Sequence, residues 1–390
     1  MSQVELTTLG KSCEFFNGKA HEKSIDENGK YIVVNSKFIS QEGRVVKRTK
    51  EQMFPLYKGD IVMVMSDVPN GKALAKCFII DQDDNYSLNQ RICCIRSKEF
   101  DTKYLYYQLN RHEHFLAFNN GENQTNLRKD DILDCPLIKP SMEEQKRMVA
   151  ELDDAILKIS NAINNCEINI DNSIELFKSE IDKLFLTKND NWSESKIGDL
   201  LLKTETIDPR KTPNKQFIYL DVSSVNKESK QIEEPTTLFG ATAPSRARKV
   251  IKTNDVIFAT VRPTHARVAI IPDEFNNQVC STGYFVMRAK SVINPSMLFY
   301  YTLTTQFNKE MESRQRGASY PAVTDNDIKE LVITYPTNID EQDALIEKLD
   351  LLYIHSNDLS KKYQLKIEYL EELKFGVLRR AFENELIEAE

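Results

Sequence analysis

PSMEEQKRMVAELDDAI at residues 140–156 and IDEQDALIEKLDLLY at 339–353 are two versions of one passage. At an offset of 197 the pairs Glu144/Glu341, Gln145/Gln342, Leu152/Leu349, Asp153/Asp350, Ile170/Ile367, Glu175/Glu372, Leu176/Leu373 and Phe185/Phe382 are identical. One residue closer, at 196, Gly121/Gly317, Asp131/Asp327, Ile132/Ile328 and Pro140/Pro336 also align. Each copy thus ends in the same order: a glycine loop, a short Asp-Ile element, a strand, a proline, and Glu-Gln opening a helix. Self-similarity at a fixed period marks a duplicated unit. Further upstream, KGDIVMVM (58–65) faces TNDVIFAT (253–260), with Asp60 matching Asp255, and LYYQL (105–109) faces FYYTL (299–303). YIVVNSKFI (31–39) and FIYLDVSSV (217–225) correspond in pattern.

The passages predict long helices. Leu152, Ile156, Ile159, Ile163, Cys166 and Ile170 step by four and three, and Ile174, Phe177, Ile181 and Leu184 resume after a shift. Leu345, Leu349, Leu352, Ser356, Leu359 and Tyr363 repeat the stepping, followed by Ile367, Leu370 and Val377. An apolar seam of period near 3.5 is what helices packed lengthwise require. Ser141, three residues before Glu144, predicts a capping box at the first start. Each helix would span roughly 60 to 65 Å. The heptads alone fit a helical hairpin or a coiled coil between chains equally well. The repeat favours two copies pairing within one chain, antiparallel, as a rod that spaces the modules.

Between the helices, DIVMVM, AKCFII, QRICCI, DVIFAT, VAIIP and YFVMRA read as strands bounded by turns such as Pro69-Asn70-Gly71 and Pro272-Asp273. Segments 103–118 and 296–313 read as amphipathic helices. The fold class is α+β: a mixed module at 1–140, a long helix at 141–190, a second module at 191–338 and a second long helix at 339–390.

The net charge of −7 is unevenly spread: the two helical blocks carry −5 and −6, the modules before them +1 and +3. Hydrophobic residues make up 41%, and no run of about 18 apolar residues would cross a bilayer. With no signal-peptide pattern either, a cytoplasmic protein without a membrane partner is expected. The seven cysteines are scattered with no C-x-x-C pair, which predicts reduced packing residues rather than disulfides or a zinc ribbon.

No phosphate loop, G-x-G-x-x-G, H-E-x-x-H or G-x-S-x-G occurs. The spacing in R-H-E-H (111–114) puts its histidines on different helix faces, so neither a metal site nor a catalytic site is expected. What the modules do carry is cations for phosphates and forked or amide groups for base edges. The first offers Lys37, Arg44, Lys47, Arg48, Asn70, Lys72, Asn119, Asn120, Gln124, Asn126 and Arg128. The second offers Arg246, Arg248, Lys249, Arg262, Thr264, His265, Arg267, Arg314, Gln315, Arg316, Ser319 and Tyr320. Taken singly, each cluster also fits an ordinary wet surface turn. The Gly121 and Gly317 loops, however, stand at equivalent places and carry different polar side chains, as two readers of different sequences would.

Over its whole length the chain resembles the specificity subunits of type I restriction-modification systems. The resemblance rests on the Glu-Gln helix starts, on KFGVLRRAFENEL (374–386), and on PSRARKVIKTNDVIFATVRP (244–263). It implies a non-catalytic DNA-binding subunit in phage defence, whose two target-recognition domains each read half of a bipartite site. The paired helices would set the spacer and dock two methyltransferase subunits. Those partners would bring S-adenosylmethionine, and a restriction and translocation subunit would bring ATP and Mg; this chain would hold no cofactor. The first module has no counterpart of PSRAR, carrying FPLYKG before its strand. Weakly positive modules predict weak, salt-dependent DNA binding by the chain alone. Two other readings stay open: a specificity subunit of another restriction-methylation assembly, and a coiled-coil scaffold that never touches DNA.

Overall fold

The computed structural model describes residues 5–21, 23–69, 71–187 and 191–389, with side chains up to residue 382. It divides into two compact units, Met1–Asn164 with Ile367–Glu390, and Asn165–Lys366. Each contains one mixed module and a part of both long helices, Met142–Leu186 and Ile339–Ala389.

In the first unit, an antiparallel sheet runs in the order Glu14–Asn17, Ile92–Arg96, Ile61–Val64, Cys77–Ile79. Its residues alternate between two cores. Ile61, Met63, Cys93 and Ile95 face helix Thr102–Leu109 and Met148 of the long helix, while Val62, Val64, Ile92 and Cys94 face a second, smaller sheet. A strand buried on both faces reads as a continuous apolar run, which is why IVMV and ICCI carry no polar alternation. In the second sheet, Tyr31–Val34 pairs parallel with Tyr86–Leu88.

The second unit repeats this plan. Val256–Ala259 lies between Val268–Ile270 and Tyr284–Met287. Val256, Phe258, Phe285 and Met287 face the helices, and Ile257, Ala259, Tyr284 and Val286 face the other sheet. There Gln216–Leu220 pairs parallel with Gln278–Ser281, and Ala247–Ile251, the PSRAR strand, pairs antiparallel with the same partner. The first module keeps a trace of that strand: Pro55 forms a single bridge to Ser87.

The predicted helices 103–118 and 296–313 are each broken in two, giving Thr102–Leu109 with Glu113–Leu116, and Pro295–Thr302 with Thr305–Arg314. Arg111 takes a left-handed φ of 58° at the first break, and Thr304 caps the new helix at the second by accepting from the Phe307 N–H. The caps also correct the register of the repeat. Asp101 and Asn294 are the equivalent caps, and Tyr107 and Tyr300 donate to the equivalent carboxylates Asp153 and Asp350. LYYQL therefore matches LFYYT rather than FYYTL.

The Glu-Gln starts have a physical cause. Gln145, 1% exposed, accepts from the Asp101 N–H and donates to Pro140 O. Gln342, fully buried, accepts from the Asn294 N–H and donates to Val292 O and Pro336 O. One amide thus satisfies groups that burial would otherwise strand, at a cost of about 1–3 kcal/mol each. Ser141 Oγ accepts from the Glu144 N–H as a cap, but the Glu144 carboxylate turns to Arg147 instead of closing a box.

In the second unit the two long helices run antiparallel. Phe177 packs on Tyr353, and Ser173 meets Ser356 and Ser360. Ile174 and Leu359, expected in the seam, are 40% and 42% exposed. Ser173 and Ser360 occupy those places, their hydroxyls 2.9 Å apart, and Ser356 Oγ donates to Ser173 O. Small hydroxyl residues let the backbones approach and satisfy one another, which bulky side chains would prevent.

Candidate nucleic-acid interface

In the second module the central strand is followed by Thr260, whose N–H and hydroxyl both donate to Gly283 O. The chain then runs beside the Gly317 loop: Val261 bridges Ala322, and the Arg262 N–H donates to Pro321 O at 2.7 Å. Residues Pro263–His265 form a single tight turn bracketed by two left-handed residues, Arg262 (φ 48°) and Ala266 (φ 45°). The opposing loop closes by paired backbone bonds between Arg316 and Ala322, with Gly317 at φ 98°. A side chain at Gly317 would be strained by that φ and would crowd Tyr320 O at 3.2 Å. Arg262, Thr264, His265, Ser319 and Tyr320 are all exposed, and the Arg262 guanidinium lies over the Tyr320 ring at 5.2 Å.

The same loop pair exists in the first module. Ser66 and Asp67 pair with Asn126 and Thr125, and the Leu127 N–H donates to Met65 O as the Val323 N–H does to Thr260 O. Different chemistry fills it. Asp67, at the place of Arg262, accepts from the Val68, Ala73 and Leu74 N–H groups and so shapes the turn that exposes Lys72. Opposite, Asn119 Oδ1 accepts from the Gly121 N–H and the Thr125 hydroxyl, and Asn120 Oδ1 from the Glu122 N–H. Gln124 and Asn126 are exposed with their amides 3.4 Å apart, and Arg128, also exposed, starts the next short helix. Asn70 lies outside the described residues.

Other residues expected at the interface have internal partners. Arg248 pairs with Asp208, Lys249 with Asp325 and Tyr284 O, Arg314 with Glu310, and Arg316 with Asp327. Arg267 donates to Val225 O, and Arg48 to Lys30 O. Lys37 and Lys47 are exposed, and Arg44, also exposed, pairs loosely with Glu42 at 3.7 Å. No hydrogen bond or ion pair among the described residues joins these three to the loop pair. Arg246 is exposed beside the PSRAR strand.

One supporting group had no sequence signal. Lys230 Nζ donates to Ala266 O at 2.7 Å, holding the back of the 262–266 turn. Its neighbour Ser229 offers its carbonyl to the Tyr353 hydroxyl of the second long helix at 2.7 Å. Burial, with Lys178 and Arg267 as like-charged neighbours, pulls the Lys230 ammonium down to about 8. These contacts join residues 36 and 124 positions apart, a distance no local pattern encodes.

Among the described residues no group of His, Cys, Asp and Glu is placed to hold a metal, and all seven cysteines are unpaired. In the R-H-E-H run, His112 Nδ1 accepts from the His114 N–H and His114 Nε2 bonds Asp131 O. No helix among the described residues is long and apolar enough to cross a membrane.

The chain is 24% identical over 164 residues to the type I restriction enzyme HindI specificity subunit of Haemophilus influenzae, a match covering 40% of this chain and 34% of that protein. It is 36% identical to the HsdS subunit from Thermoanaerobacter tengcongensis over 47% of each chain, with a TM-score of 0.43. The type I restriction-modification S subunit from M. genitalium aligns over 97% of this chain and 96% of its own, at 15% identity and a TM-score of 0.40. The chain thus spans between a third and a half of the length of the first two relatives. The family described as the type I restriction modification DNA specificity domain matches twice, at residues 1–169 and 189–369, once over each copy of the repeat. With most of its length accounted for in this way, the chain belongs to that family.

Proposed function

We propose that this protein is the specificity subunit of a type I restriction-modification complex, each module reading one half of a two-part DNA target. The observation that carries the reading is the shared loop pair. The same two loops, bonded through the same backbone groups, present Lys72, Asn120, Gln124, Asn126 and Arg128 in one module. In the other they present Arg262, Thr264, His265, Ser319 and Tyr320. A constant frame with variable amide, hydroxyl and guanidinium groups is what two different base sequences demand. Exposed Lys37, Arg44, Lys47 and Arg246 supply phosphate contacts in this reading, which fix position without carrying sequence.

In the same proposal the long helices set the unread spacer and dock two methyltransferase subunits, which bring S-adenosylmethionine. This chain is non-catalytic, and a restriction subunit using ATP and Mg joins the complex. A structure similar over part of its length is described as addressing assembly and conformational transition of the type I R-M system, which supports the expectation of partners. The test is to express the chain with its methyltransferase and map N6-methyladenine across a genome. A split motif with a fixed unread gap is expected; a continuous motif would rule out two readers.

A further inference from the structure

We infer that Arg262 is the guanine-reading residue of the second module, set to recognise one guanine in the major groove, with Tyr320 positioning its guanidinium. The inference rests on the DNA-reading function proposed above and narrows it to one side chain.

Elimination comes first. Of the seven arginines and lysines expected to contact DNA in this module, Arg248, Lys249, Arg314 and Arg316 hold carboxylates of the same unit, and Arg267 holds backbone carbonyls. Arg246 and Arg262 alone of this group have neither a carboxylate nor a backbone carbonyl holding the side chain among the described residues. The two differ in how they are held. Arg246 precedes a strand and has only its backbone fixed, its carbonyl accepting from the Thr282 N–H.

Arg262 is constrained on every side. Its φ of 48° is a conformation an arginine adopts at a cost of about 1–3 kcal/mol, tolerated where the surroundings over-determine it. Here they do: its N–H is fixed by Pro321 O, its carbonyl by the His265 N–H, and its turn from behind by Lys230 on Ala266 O. The guanidinium rests on a Tyr320 ring whose residue is 71% exposed. A ring face orients the planar fork without using its N–H donors, so all remain free for a ligand. A preorganised fork with free donors at the tip of a loop pair matches the O6 and N7 acceptors of guanine, which a phosphate contact would not require. The first module has Asp67 at this position, bound to its own turn, so its half-site is read by other means.

The experiment is selection from a random-sequence DNA duplex library at low salt, using the full chain in complex with its methyltransferase, as wild type and as R262Q, R262K, Y320A, Y320F and R246Q variants. The wild type should enrich a motif in which one guanine depends on Arg262. R262Q should lose preference at that position alone, by roughly ten- to a hundredfold. R262K should lose it too while keeping most overall affinity, because an ammonium cannot make the paired contact. Y320A should weaken the same preference and Y320F restore it. R246Q should weaken all sequences evenly. If R262Q enriches the wild-type motif, or weakens every sequence evenly as R246Q does, this assignment is overturned while the DNA-reading function stands. If the wild type enriches no motif, that function itself fails.

Discussion

Asp60 and Asp255 sit at the same place in the two modules, 2% and 1% exposed, and each receives two guanidinium N–H bonds, from Arg96 and Arg288 respectively. Each also caps its own turn, accepting from the Tyr57 N–H or the Lys252 N–H. Removing one partner of a buried pair strands the other, so Asp60→Asn should cost about 3 kcal/mol in urea denaturation. Asp255→Asn should cost less, because Arg288 keeps Glu205 at 2.6 Å. Equal costs would mean that Glu205 contributes nothing. The aspartates were visible in the sequence as a matched pair. Their arginines were not, since 36 and 33 residues intervene and only the folded sheet joins them. For the same reason Arg248, Lys249 and Arg316 read as contact residues from composition, although the fold gives each an internal carboxylate. The two glycine loops, by contrast, were legible because Gly121 and Gly317 recur at one offset and both adopt positive φ.

At the scale of elements, the long helices followed from apolar period and the central strands from apolar runs bounded by turns, and the failures lie where a polar side chain takes a backbone's part. Ser173 and Ser360 stand in the helix seam in place of Ile174 and Leu359, their hydroxyls bonded across the interface. The helix expected at 103–118 stops because His112 caps a new one, its Nδ1 accepting from the His114 N–H. That role needs a neutral ring, and burial, aided by the His114 charge, lowers the His112 imidazole to about 4 from 6.5. The unfolded chain therefore takes up this proton first, and stability present above pH 6.5 is lost as the pH falls toward 4. His112→Asn keeps a good cap and removes the titration. Its melting temperature should fall less than that of the wild type between pH 7 and 5; parallel falls would place the acid sensitivity elsewhere.

For the whole molecule, two modules are each keyed to a long helix by one buried glutamine. Under the proposed function the helices fix the gap and the modules fix the sequences. Inserting one heptad at paired positions of both helices should leave the two methylated half-sites unchanged and lengthen the unread gap between them. Altered half-sites, with the gap intact, would separate the helices from any measuring role. The segment around Ser229 and Lys230 adds a mechanical consequence. It touches the Tyr353 hydroxyl on one side and the carbonyl behind Arg262's turn on the other. Under the proposed function, a partner whose seating along that helix displaced Tyr353 would loosen the grip on the turn. By reciprocity of linked equilibria, duplex held in the turn would then resist that displacement by the same factor. Assembly and target choice in this unit would then be thermodynamically one transaction, tunable from either end.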